Sequence, residues 1–72
     1  MNNLNVAKIQ LNGDPYEVIN GTNLNELLNK LKLQKNKIAI EVNGEIIEKS
    51  KYPNMILRKD DKVEIVQFIG GG

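Results

Sequence analysis

The residues able to do chemistry are gathered at the end of the chain, in Val66-Gln67-Phe68-Ile69-Gly70-Gly71-Gly72. Six glycines occur in the 72 residues, and three of them are consecutive here. Lacking Cβ atoms, Gly70, Gly71 and Gly72 make a thin strip of about 10 Å, at roughly 3.3 Å per residue, that fits a channel too narrow for any side chain. What the strip delivers is the Gly72 carboxylate. A terminal α-carboxyl group ordinarily titrates near about 3.5, so it is anionic at pH 7 and a poor acyl electrophile. To accept a nucleophile it must first be activated, most simply by attacking the α-phosphate of ATP on a partner enzyme to form an acyl-adenylate. A sulfur nucleophile can then displace AMP.

The rest of the composition offers little competing chemistry. There is no histidine and no cysteine, so the usual zinc ligands, disulfides and the commonest nucleophile and general base are all missing. No catalytic residue, metal site or cofactor of its own is expected. Ten Lys and Arg against nine Asp and Glu leave a net charge of +1, too balanced for a phosphate backbone to be the main partner. Tyr16, Tyr52 and Phe68 are the only aromatics, too few for a stacking platform on single-stranded nucleic acid. The apolar runs are far shorter than a membrane span, and the opening MNNLNVAKIQ has neither the charged nor the apolar region of a signal peptide. A soluble cytoplasmic protein is expected, with no nucleic acid and no membrane among its partners.

The elements that must hold the tail can be read from periodicity. Ala7, Ile9 and Leu11 alternate with Lys8 and Gln10, the period of a half-buried strand. Asn12-Gly13 then predicts a type I′ hairpin turn, and a return strand runs from Tyr16 to Ile19 with Pro15 at its start. Asn23 and Glu26 have capping-box spacing, and Leu24, Leu27, Leu28 and Leu31 form one apolar stripe, so an amphipathic helix is expected to run to near Leu33. Ile38, Ile40 and Val42 predict a strand, Asn43-Gly44 a second tight turn, and Glu45 to Glu48 its return. Lys49 to Asp61 reads as an irregular crossover containing Pro53 and anchored by Ile56 and Leu57. Val63 to Phe68 is the last strand.

The order strand, strand, helix, strand, short strand, crossover, strand predicts an α+β domain: a mixed sheet of four to five strands with one helix packed across one face. With the last strand in the middle, beside the first, this is the ubiquitin-like β-grasp. One domain is expected over residues 1–69, with 70–72 as a flexible glycine tail. Residues 1–6 either extend the first strand, through Leu4 and Val6, or are disordered. In the last strand Val63 and Ile65 should face the helix, whereas Glu64, Val66 and Phe68 share the open face. Val66 and Phe68 are thus candidates for partner docking, with Ile69 as the anchor that aims the glycines.

From Ala7 to Gly72 the chain resembles the ThiS family of sulfur carriers in length, element order and ending. The helix-opening stretch Gly21-Thr22-Asn23-Leu24-Asn25-Glu26-Leu27-Leu28 and the closing stretch from Asp61 to Gly72 carry the likeness. The resemblance implies that Gly72 is the modified residue, first as an adenylate and then as a thiocarboxylate, with Gly70 and Gly71 threading partner active sites. It implies three partners: a ThiF-type adenylating enzyme, a cysteine desulfurase or other source of persulfide sulfur, and the thiazole synthase ThiG, which receives the sulfur. The carrier itself would catalyse nothing.

Three rival readings share part of this pattern. A MoaD-like carrier for molybdopterin synthesis has the same fold and activation chemistry, but tends to be longer and to approach its tail through proline, which Val66-Gln67-Phe68-Ile69 lacks. A protein-conjugating modifier would offer activated Gly72 to a lysine amine. A non-catalytic ubiquitin-like binding module would carry the glycines as a plain flexible end. Beyond the tail, two groups of cations stand out. Lys49, Lys51, Arg58, Lys59 and Lys62 suggest a basic edge, while Lys30, Lys32, Lys35 and Lys37 are explained by the helix dipole and solubility.

Overall fold

The computed structural model describes residues 5–68. Five strands and one α-helix follow the expected order: β1 Val6–Leu11, β2 Asp14–Ile19, α1 Leu24–Leu31, β3 Ile38–Val42, β4 Glu45–Ile46 and β5 Lys62–Gln67. The sheet runs β2-β1-β5-β3-β4, with β5 parallel to β1 and antiparallel to β3. The last strand therefore lies in the middle, and the fold is the ubiquitin-like β-grasp. Val6 belongs to β1, while Met1 to Leu4 lie outside the described residues, as do Ile69, Gly70, Gly71 and Gly72.

Both tight turns form for the reason their sequences give. Asn12 and Gly13 have φ of 51° and 87°, and Asn43 and Gly44 have φ of 54° and 86°, the paired positive values that a type I′ turn needs. Pro15 sits within β2, an edge strand, where a missing N–H costs least. Asn23 caps α1 by accepting from the Glu26 N–H at 2.8 Å, while the Glu26 carboxylate accepts from the Asn23 N–H at 3.0 Å.

Inward-facing residues of β1, β2, β3 and β5 meet the leucine stripe of α1. Ile9, Val18, Ile38, Ile40 and Val63 from the sheet and Leu24, Leu27 and Leu28 from the helix are buried, and Leu31 packs on the margin of the core. Burial of each such side chain is worth about 1.5–3 kcal/mol relative to exposure, and it is this core that fixes the position of β5.

Three boundaries differ from the periodicity. The helix stops at Leu31 because Lys32 turns left-handed at φ 60°. There the Lys32 N–H reaches the Asn29 carbonyl at 3.1 Å, and the Leu33 N–H reaches that of Leu28 at 2.9 Å, closing a Schellman pair with Leu33 folded back onto the core. The return strand after Asn43-Gly44 is only Glu45–Ile46, followed by one more bond from the Ile47 N–H to Ile40 at 3.0 Å. The crossover is not irregular: Lys49–Asn54 is a 3-10 helix with Pro53 inside it, and it buries Tyr52 completely. Leu57 is buried as expected, whereas Ile56 is half-buried and bridges to Asn23 at the start of the helix.

Candidate functional site

The site is the end of the sheet from which the tail departs. β5 is flanked by β1 only at its start, where the last parallel pair is Leu11 with Val63. Beyond that point β1 has turned, and the Asn12 side chain takes over, its Oδ1 accepting from the Ile65 N–H at 2.7 Å. The only strand paired with the second half of β5 among the described residues is β3, through the pairs Ile40 with Ile65, Ala39 with Val66 and Ile38 with Gln67. Phe68 lies past the strand, yet its N–H still donates to the Lys37 carbonyl at 2.8 Å. The chain is thus led in an extended, tethered course up to Phe68.

Alternation along β5 sorts its side chains as the sequence predicts. Val63 is buried and Ile65 packs on the core, while Val66 and Phe68 remain 58% and 55% exposed on the open face. Ile46, 70% exposed, joins them from β4. Together with Ala39 and the flanking Glu41 and Glu64, these residues line a shallow, mainly apolar depression of about 200 Å³. Sequence reasoning missed Ile46 and Ala39. Their membership depends on strand order: Ala39 lies opposite Val66, and Ile46 lies opposite Glu41, whose neighbours Ile40 and Val42 point inward. Adjacent exposed apolar side chains beside the point where the chain leaves the sheet make a contiguous patch of the kind that marks interaction surfaces.

The charged groups separate differently from the sequence expectation. Lys49 belongs to this end, its Nζ 5.9 Å from the centre of the Phe68 ring. Arg58, Lys59 and Lys62 belong to the opposite end of β5: the Arg58 N–H donates to Asp61 Oδ2 at 2.8 Å, and the Lys62 N–H donates to Asn43 Oδ1 at 2.9 Å. The expected basic edge is therefore two groups separated by the length of the strand. Conversely, Lys37 lies opposite Phe68, and Lys35, in the same 3-10 turn, has its Nζ 5.6 Å from the Tyr52 ring centre. Of the cations assigned to the helix, Lys30 reaches across to β2, 5.0 Å from the Tyr16 ring centre.

Among the described residues no cluster of His, Cys, Asp or Glu is placed to hold a metal, and no helix is long and apolar enough to cross a membrane. Burial pushes the Tyr52 phenol above its ordinary 10.0, and the neighbouring Ile40 backbone offsets part of the rise. That hydroxyl has no hydrogen bond of good geometry and belongs to the core rather than to the site. Ile69, expected as a docking anchor, Gly70 and Gly71, expected to thread partner sites, and Gly72, expected to carry the modification, all lie outside the described residues.

Comparison with known proteins gives this geometry its context. The ThiS family matches over residues 9–72. The crystal structure of a thiamine biosynthesis protein (ThiS) from Geobacter metallireducens superposes with a TM-score of 0.78 at 34% identity, covering 90% of this chain and 99% of that one. The sulfur carrier protein ThiS of Bacillus subtilis is 37% identical over 65 residues, 89% of this chain and 98% of the relative. A thiazole synthase of Magnetococcus marinus is 42% identical over 65 residues, which are 90% of this chain but only 20% of that protein's length. With the family match spanning nearly the whole sequence and the fold agreeing in detail, the chain belongs to the ThiS family.

Proposed function

We propose that this chain is a sulfur carrier of thiamine biosynthesis, a substrate of its partner enzymes rather than a catalyst. The observation that carries the reading is the family match running through to residue 72, on a fold that leads β5 past an exposed apolar patch towards the glycines. A ThiF-type enzyme binds the patch formed by Val66, Phe68 and Ile46, with Ile69 as the next anchor, and draws Gly70 and Gly71 into its channel. The Gly72 carboxylate attacks the α-phosphorus of ATP and pyrophosphate leaves. A persulfide, supplied by a cysteine desulfurase or another donor, attacks the acyl carbon and expels AMP. A thiol then cleaves the resulting acyl disulfide, leaving a thiocarboxylate that is nucleophilic at neutral pH.

Delivery to the thiazole synthase ThiG is the corresponding second half of the cycle. A segment similar to this chain forms part of the Magnetococcus marinus thiazole synthase itself, and joining carrier to consumer in one polypeptide raises their effective concentration without any new contact. No comparable observation favours the molybdopterin pathway or protein conjugation.

Adding one alanine after Gly72 tests the reading. With a ThiF-type enzyme, the native chain is expected to support ATP–pyrophosphate exchange and the extended chain to lose it, because the new carboxylate no longer sits on the threaded glycine. Equal exchange by both chains would reduce the glycines to a flexible end on a binding module.

A further inference from the structure

Around the foot of the tail the fold collects positive charge from segments far apart in sequence. Lys35 and Lys37 come from the 3-10 turn Lys35–Lys37 before β3, and Lys49 from the start of the 3-10 helix after β4. Lys37 is tied to Phe68 through the backbone, Lys49 lies over the Phe68 ring, and Lys35 lies over the ring of buried Tyr52. None of the three forms an ion pair with a described carboxylate, so their charge is available to a partner. At the other side of the apolar patch the sign reverses: Glu41 and Glu64 stand directly opposite each other on β3 and β5. The open face is therefore polar along this stretch of the strand, basic beside Phe68 and acidic at Glu64, four residues earlier, before Lys62 returns positive charge at the far end.

We propose that the Lys35, Lys37 and Lys49 collar docks against carboxylates at the mouth of the channel that receives the tail, on the adenylating partner. This inference rests on the sulfur-carrier reading and adds to it the chemistry of the docking surface. Opposite charges at a channel mouth steer encounter and fix orientation, so the glycines arrive pointing inward. The apolar patch supplies the contact area, and the reversal of sign along the face disfavours a partner seated the other way round. Rim charges of this kind act mainly on association and on its salt dependence, and little on the chemical step.

The test compares two double charge reversals of equal size. Lys37→Glu with Lys49→Glu alters the collar, and Arg58→Glu with Lys59→Glu alters the exposed cations at the far end of β5. All four positions are exposed, and circular dichroism checks that both variants fold. Binding to the ThiF-type enzyme is measured by titration at low and high salt, and adenylation separately by ATP–pyrophosphate exchange. For the collar variant the Kd is expected to rise about tenfold or more at low salt, with the gap closing near 1 M salt, where the Debye length is only about 3 Å. Its KM in exchange should rise in parallel with kcat unchanged, while the far-end variant should stay within about twofold of the native chain. Equal weakening by both variants, or no weakening by the collar variant, overturns the collar. Binding without exchange by the native chain would instead count against the sulfur-carrier reading while leaving the collar to be judged by its Kd.

Discussion

Tyr52 shows how a core residue can be missed by sequence reasoning and still be accounted for physically. It sits between Lys51 and Pro53 in a segment rich in charge and turn formers, where nothing periodic marks it as interior. The 3-10 helix turns it fully into the core, where its ring packs and its hydroxyl is left without a good partner. Deleting only that hydroxyl removes an unpaired buried polar group, which costs about 1–3 kcal/mol when left unsatisfied. Tyr52→Phe is therefore expected to match or exceed the native stability by up to about 1 kcal/mol in urea unfolding at pH 7. Because burial raises the phenol's pKa above 10.0, folding favours the neutral form. Whatever stability this gives is fully present below about pH 10 and is lost as pH rises through the folded pKa. The phenylalanine variant should thus gain on the native chain above about pH 10. A native chain that is clearly the more stable at pH 7, or a difference flat up to about pH 11, would contradict this explanation.

At the scale of elements, the local chemistry carried most of the information. Asn-Gly pairs place both hairpins, the box of Asn23 and Glu26 starts the helix, and two-residue alternation assigns the faces of β1, β3 and β5 correctly. What periodicity did not contain is anything set by distant pairing: the shortness of β4, the ordered 3-10 crossover, and the grouping of Ala39, Ile46, Val66 and Phe68. The lysines illustrate the same limit, since adjacent numbers in Lys49 to Lys62 end up at opposite ends of β5, while Lys37 and Lys49 converge on Phe68. The helix terminus could not be placed because Lys32 occupies the left-handed position that glycine usually fills. A non-glycine residue costs roughly 1–2 kcal/mol there, partly offset by the greater unfolded-state freedom of glycine. Lys32→Gly is expected to raise stability by about 0.5–1 kcal/mol, read as a higher urea midpoint at unchanged slope. A lowered midpoint would mean that the lysine side chain makes a contribution its backbone conformation conceals.

For the whole molecule, the proposed function makes the fold a small support for one terminal group. The core fixes β5 in the centre of the sheet, Asn12 and β3 hold its second half in line, and the open face next to the tail is apolar with a basic border. The chemistry proposed resides in Gly72 rather than in any side chain of the folded domain. That claim is tested most directly by intact-mass spectrometry of the native chain after incubation with a ThiF-type enzyme, ATP and a persulfide source. The expected result is the replacement of one oxygen by one sulfur, localised by fragmentation to Gly72 and absent when ATP is withheld. A chain of unchanged mass under these conditions, or sulfur found on any residue other than Gly72, would contradict it.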